Sequence, residues 1–316
     1  MTKLYEPARN GTDSILLNAT DTAALLPYAA LAKEIEGLLR DDDVQVPTRL
    51  VQALPGGGSL FVMPALDRHI AITKLITFTP ANTGTGRATI QGDVVVFDIA
   101  TGQRKLILDG PTVTARRTAA VSLLAAQYLA PQRDGPLLIV GAGAQGRTHI
   151  EAFVKELGVQ EVVIASRSAA SAHSLAAYTQ ELGAKARVLS DPNQALAYCP
   201  LVVTCTPASA VVLHAKPRQA CFIAAVGAFT PKMVELSPEL CRSIATHGTV
   251  VIDTADARRE AGDLLQAGVD VAQFVTLRDV VCQSLPRPQS QVLFKSCGWA
   301  GWDLAAARTA MLLNHW

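Results

Sequence analysis

Residues 137–146 read LLIVGAGAQG, and no other stretch constrains the fold of this chain so tightly. Four apolar residues, Leu137 to Val140, form a short strand of the kind buried on both faces of a sheet. Gly141, Gly143 and Gly146 follow in G-x-G-x-x-G spacing, and a helical pattern runs on over 147–157. The first glycine permits a tight turn, the second lets a pyrophosphate approach the backbone, and the third packs helix against strand. The start of the helix offers N–H groups and the positive end of its dipole to phosphate. Gly141, Gly143, Ala144, Gln145 and Gly146 are therefore the candidate pyrophosphate contacts. A second strand, 161–165, follows at the spacing of a βαβ unit, so the pattern implies an α/β fold whose doubly wound parallel sheet holds a dinucleotide.

The tip of that second strand bears on which dinucleotide. A site for NAD presents an acid there to the ribose 2′-hydroxyl. This chain instead offers Ser166, Arg167 and Ser168. A guanidinium bonds phosphate oxygens in a planar fork, and hydroxyls flank it. The expectation is NADP, bound as NADPH, with Ser166 and Arg167 at the 2′-phosphate and NAD disfavoured.

Composition excludes several classes. The chain has 316 residues, enough for two domains; 49% are apolar, 17% are charged, and the net charge is +1. Such a balance gives no electrostatic case for nucleic acid or an anionic membrane. No apolar run reaches the length of a membrane span, and the N-terminal run shows no apolar targeting segment. The six cysteines lack metal-ligand or paired spacing, which predicts reduced thiols, a cytoplasmic address and no metal. His69, His149, His173, His214 and His247 show no ligand spacing either, and His315 belongs to a terminal tail.

About 135 residues precede the Gly-rich turn. They read as a helix over 23–40, a hairpin over 49–54 and 59–63, further strands at 70–78, 89–99 and 103–108, and a helix over 113–129. Beyond the turn the alternation continues, with strands at 161–165, 186–189, 201–204, 221–225 and 250–253 and helices at 171–182 and 192–197. Loops leaving two of these strands carry Thr204, Thr206 and Val226, which are expected to line the nicotinamide pocket, because ligands bind beyond carboxyl strand ends. A helix over 294–313, rich in small residues, is expected to return to the first block.

Several motifs in order carry a resemblance. Residues 109–120, DGPTVTARRTAA, resemble the DG…TA.RTAA signature of the ornithine cyclodeaminase/mu-crystallin family, as do Met63-Pro64-Ala65 with Thr73-Lys74-Leu75, the GAGAQG turn, Val226-Gly227-Ala228 ahead of Glu235-Leu236, and Gly262-Asp263-Leu264. The resemblance spans essentially the whole chain. It implies a Rossmann domain over 118–292 and a discontinuous α+β substrate and dimerisation domain over 1–117 and 293–316, hence a homodimer.

The family motifs would bring Arg49, Lys74 and Arg117 together. Convergent Arg and Lys suit the carboxylate of a small amino or imino acid. Arg116 is the alternative to Arg117, but adjacent helical residues point about 100° apart, and the RTAA string selects Arg117. Cyclodeaminases of the family carry an aspartate two residues before the proline of the loop after the Val-Gly pair. Here that position is Phe229, which can neither accept a proton nor pair with an ammonium. The stretches 260–264, 267–270, 293–296 and 302–306 look most like bacterial reductases of Δ1-pyrroline-2-carboxylate and Δ1-piperideine-2-carboxylate, which form L-proline and L-pipecolate. The resemblance thus implies a ketimine reductase, with Lys74 catalytic and Phe229 walling the substrate. Asp303 is a secondary candidate, and Asp263 reads as a loop-structuring acid. An NAD-dependent ornithine cyclodeaminase that releases ammonia, and a non-catalytic NADP(H)-binding crystallin-like protein, are the alternatives.

Overall fold

The computed structural model describes residues 15–82 and 85–314. The N-terminal run read for a targeting segment and His315 lie outside them. The chain divides into two compact units. One comprises residues up to Leu26, Asp43–Thr114 and the chain from Asp303 onward; the other comprises Pro27–Asp42 and Ala115–Trp302.

The first elements are β1 (Ile15–Leu16) and α1 (Ala19–Ala24), then α2 (Tyr28–Leu39). The single helix expected over 23–40 is two helices. Pro27 stands at the N-cap of α2 in extended conformation, with φ −62° and ψ 138°. Its missing N–H and fixed φ suit a helix start, not a helix interior. α2 belongs to the second unit, where the hydroxyl of its Tyr28 donates to Glu151 at 2.9 Å.

Next come β2 (Leu50–Leu54), β3 (Gly58–Leu66), β4 (Ile70–Phe78), β5 (Ile90–Asp98) and β6 (Arg104–Asp109). They form a six-stranded sheet in the order β1-β6-β5-β4-β3-β2, antiparallel except where β1 joins β6. The β2–β3 turn uses Gly56 and Gly57 at φ 90° and 87°, a region that glycine reaches without strain. Alternation along β4 turns Ile70, Ile72 and Ile76 inward, where they are buried with Val94, Val96, Leu106 and Leu108.

The helix α3 (Gly110–Leu129) carries the division between units. After it follow β7 (Leu137–Val140), α4 (Ala144–Leu157), β8 (Glu161–Ala165), α5 (Ala169–Glu181), β9 (Lys185–Leu189), β10 (Leu201–Thr204), β11 (Ser209–Leu213), β12 (Phe222–Ala225) and β13 (Val234–Leu236). The remaining elements are α6 (Pro238–His247), β14 (Thr249–Ile252), α7 (Ala257–Glu260), α8 (Gly262–Gln266), β15 (Val275–Thr276), α9 (Leu277–Cys282), β16 (Val292–Lys295) and α10 (Ala300–Leu313). Pro192–Ala195 forms a short 3-10 turn where a helix was expected.

Eight strands make one parallel sheet, ordered β15-β14-β16-β12-β10-β7-β8-β9. From β7 the chain winds outward through β8 and β9 on one side and through β10, β12, β14 and β15 on the other, with β16 returning between β12 and β14, so the order reverses beside β7, as a doubly wound α/β fold requires. Its central strands are buried along their whole length, consistent with their unbroken apolar sequences. The helix expected over 294–313 instead opens with a strand, because β16 fills the gap between β12 and β14. That strand therefore lies in the second unit, which runs to Trp302, whereas the domain boundary was expected at 293. Among the described residues no helix is long and apolar enough to cross a membrane.

Candidate active site

In the second unit, the Gly-rich turn joins β7 to α4. Gly141 has φ 121°, and a Cβ there would lie 2.7 Å from the Cys205 carbonyl oxygen. A Cβ on Gly146 would overlap the Gly141 carbonyl oxygen, whereas one on Gly143 would meet open space. No side chain caps the start of α4. The turn thus offers an exposed, uncapped helix N-terminus with glycine at its point of approach. This donor set fits a dinucleotide pyrophosphate. Gln145 lies in the first turn, and its carbonyl meets His149 Nδ1 at 2.7 Å.

On one side of β7 lies the end of β8. Ser166 is half-buried and Arg167 exposed there. The Ser166 hydroxyl accepts from the Ser168 N–H at 3.3 Å, and Ser168 in turn caps α5. On the other side lie the loops leaving β10 and β12. Thr204 is fully buried and Thr206 half-buried, and both hydroxyls donate to Glu235. The Val226 N–H donates to the Thr204 carbonyl at 2.9 Å. Phe229 is half-buried and packs on the core of this unit.

The choice between Arg116 and Arg117 has a structural counterpart. Arg116 pairs with Glu151 at 3.3 Å and lies over the Tyr28 ring, 4.1 Å from its centre. Arg117 is buried against Gly298. Gly298 has φ 87°, and a Cβ there would stand 3.4 Å from both terminal guanidinium nitrogens. Asp253 secures this glycine: its Oδ2 accepts from the N–H groups of Cys297 and Gly298, each at 2.9 Å, and from the Ser296 hydroxyl at 2.8 Å.

The first unit contains Arg49 and Lys74. Lys74 is 1% exposed, and its Nζ lies 2.8 Å from Oδ2 of Asp303, itself 0% exposed. A second link, half-buried, runs from Arg308 Nε to Asp67 Oδ2 at 2.6 Å and holds α10 in the same unit. Arg49 directly precedes Leu50, which faces Val62, while Met63 faces Lys74. This register sets Arg49 and Lys74 on one row of the sheet, two strands apart, about 10 Å by strand spacing.

A family model described as the ornithine cyclodeaminase/mu-crystallin family matches residues 13–311. The chain belongs to that family. It is 38% identical over 300 residues to Delta(1)-pyrroline-2-carboxylate reductase 1 of Burkholderia multivorans, covering 93% of this chain and 94% of that protein. It is 37% identical over 298 residues to the Delta(1)-pyrroline-2-carboxylate/Delta(1)-piperideine-2-carboxylate reductase of Azospirillum brasilense, with the same coverage. The fold matches that of Thermococcus litoralis Delta(1)-pyrroline-2-carboxylate reductase in complex with NADH and L-proline, with a TM-score of 0.87 and 22% identity, over 95% of this chain and 98% of that one.

Sequence reasoning passed over Glu235, Asp253 and Lys295, and it rated Asp303 below Lys74. One signal was available for the Lys74 pair. Along β4 the apolar phase Ile70, Ile72, Ile76 is interrupted at Lys74, while Leu75 points outward at 46% exposure. A lysine in the inward phase of a strand needs a buried counter-charge. Asp303, charged in an otherwise small and apolar helix, supplies it.

Proposed function

We propose that this chain is an NADPH-dependent reductase of cyclic ketimine carboxylates, converting Δ1-pyrroline-2-carboxylate or Δ1-piperideine-2-carboxylate to L-proline or L-pipecolate in the cytoplasm. The observation that carries the reading is the buried Lys74–Asp303 pair. A buried ammonium within reach of an imine nitrogen is a proton donor, which is what that nitrogen requires when its carbon receives hydride. The reductases of similar sequence support the same class.

In this reading Arg49, Lys74 and Arg117 hold the substrate carboxylate, and Gly298 steadies the Arg117 guanidinium. Lys74 gives its proton to the imine nitrogen as the C=N double bond becomes a C–N single bond. When bound, the reduced nicotinamide supplies the hydride that completes the reduction at carbon. Phe229 walls the pocket and leaves it without the carboxylate an oxidative cyclodeaminase would use on a substrate amine. Arg167, exposed beyond β8 and flanked by Ser166 and Ser168, accounts for a preference for the 2′-phosphate. The first unit serves substrate binding and dimerisation, in a homodimer.

The test is nicotinamide absorbance with Δ1-piperideine-2-carboxylate and Δ1-pyrroline-2-carboxylate, with NADPH and NADH in parallel. Rapid oxidation of NADPH and slower oxidation of NADH is the expected result. Oxidation of neither cofactor would overturn the reading, and ammonia release from L-ornithine with NAD would replace it with a cyclodeaminase.

A further inference from the structure

Glu235 is fully buried on the three-residue strand β13, outside the large parallel sheet. Its carboxylate takes donors from two loops. Oε1 accepts the Thr206 N–H at 2.7 Å and the Thr206 hydroxyl at 2.9 Å. Oε2 accepts the Gly227 N–H at 2.7 Å and the Thr204 hydroxyl at 2.9 Å. A Cβ on Gly227 would overlap both Glu235 Oε1 and the Thr206 carbonyl oxygen, so the two loops lie against each other. The first loop also abuts the Gly-rich turn, through Cys205 and Gly141. Pyrophosphate turn, β10 loop and β12 loop therefore stand in series, with Glu235 clasping the last two.

Behind the carboxylate, Asp263 Oδ1 accepts the N–H groups of Glu235 at 2.6 Å and Leu236 at 2.9 Å. Asp263 Oδ2 pairs with Lys295 Nζ at 2.9 Å, and Lys295 also donates to the Ala225 carbonyl at 3.2 Å. Burial pushes the Glu235 carboxyl above its ordinary range, while the Lys295 ammonium and the Thr206 N–H oppose that rise.

We infer that Glu235 is the positioning residue for the nicotinamide end of the cofactor, acting through the Thr206 and Gly227 backbones and never touching the ring. The inference rests on the dinucleotide reading above. Each oxygen faces one backbone N–H and one hydroxyl. A hydroxyl can rotate to accept a hydrogen bond, but a backbone N–H cannot. A glutamine amide, whichever way it is turned, thus opposes its NH2 to a backbone N–H and releases one of the two loops. Only an ionised carboxylate holds both.

The experiment compares the wild-type chain with Glu235→Gln, Thr204→Val and Ile244→Val. Each is titrated with NADPH, NADH and 2′-phospho-ADP-ribose, the last of which lacks the nicotinamide. Loss of a hydrogen bond to a buried charge is expected to weaken the dinucleotides about tenfold or more in E235Q. The fragment should stay within about twofold, since it lacks the nicotinamide ring that the β10 and β12 loops would position. T204V keeps both backbone bonds and removes one donor, so it should show the same selectivity at roughly two- to fivefold; it decides the matter alone if E235Q fails to fold. I244V, a cavity in the α6 core, should lower the melting temperature and leave the ratio of fragment to dinucleotide affinity unchanged. Parallel weakening of fragment and dinucleotide, or no weakening of either, overturns the positioning role. A wild-type chain that binds none of the three overturns the dinucleotide reading, and this inference falls with it.

Discussion

A lysine and an aspartate enclosed together, as Lys74 and Asp303 are, depend on each other. Removing one partner of such a pair leaves an uncompensated charge at a cost of about 3–5 kcal/mol. Lys74→Met is therefore expected to lower the unfolding free energy by a similar amount and to cut turnover about a hundredfold or more. NADPH affinity should stay within about twofold, as fluorescence titration would show. Adding Asp303→Asn to K74M should restore stability without restoring turnover. Recovery of turnover in the double variant would remove Lys74 from the chemistry. His149 presents a buried group of the opposite kind, neutral between the Gln145 carbonyl and the Ser122 hydroxyl. Burial pushes its pKa from 6.5 down to about 4. As pH falls below 6.5 the unfolded chain takes the proton first, so the contribution of neutral His149 shrinks from there until the folded form titrates near pH 4. Urea unfolding at pH 7 and pH 5 should show wild type losing roughly 2 kcal/mol more than His149→Gln over that interval. Equal losses in the two proteins would show that His149 is not the group responsible.

Where an element's sequence carries its own signal, its place in the fold was legible. The apolar runs at β7, β8 and β10 and the glycines after β7 identify strands and turn without reference to anything distant. The break between α1 and α2 was hidden because apolar spacing continues through Leu25 and Leu26 and masks the stop at Pro27. Phe294 and Lys295 of β16 merge with the helical pattern after them, and only the open place between β12 and β14 makes them strand. Sites behave alike: Lys74, Arg117 and the Gly-rich turn sit in local motifs whose residue types state their chemistry, whereas the role of Glu235 shows only in the fold that brings it to the ends of β10 and β12. In the proposed reading, the β8–α5 connection bears on cofactor choice. Arg167→Ser should weaken NADPH about tenfold or more while leaving NADH within about twofold, because a fork to phosphate is lost and no ribose contact changes. Equal loss for both cofactors in isothermal titration would place Arg167 elsewhere.

For the whole molecule, the first unit exposes apolar side chains on an edge strand of its six-stranded sheet. Leu50 and Val51 of β2 are 56% and 52% exposed. An uncovered apolar edge of this kind invites pairing with another chain. Light scattering is expected to give a dimer for the wild-type chain and a monomer for Leu50→Lys with Val51→Lys. A monomeric wild type at micromolar concentration would mean the edge is covered some other way. The placement of α10 has a consequence for how the molecule is made. Lys74 emerges from the ribosome with β4, but its carboxylate partner arrives only after the entire parallel sheet has been synthesised. Throughout that interval the ammonium has no Asp303 to meet. Completion of the first unit is in this way deferred until the parallel sheet already has all of its strands, and a chain cut short before α10 carries Lys74 in its first sheet without Asp303.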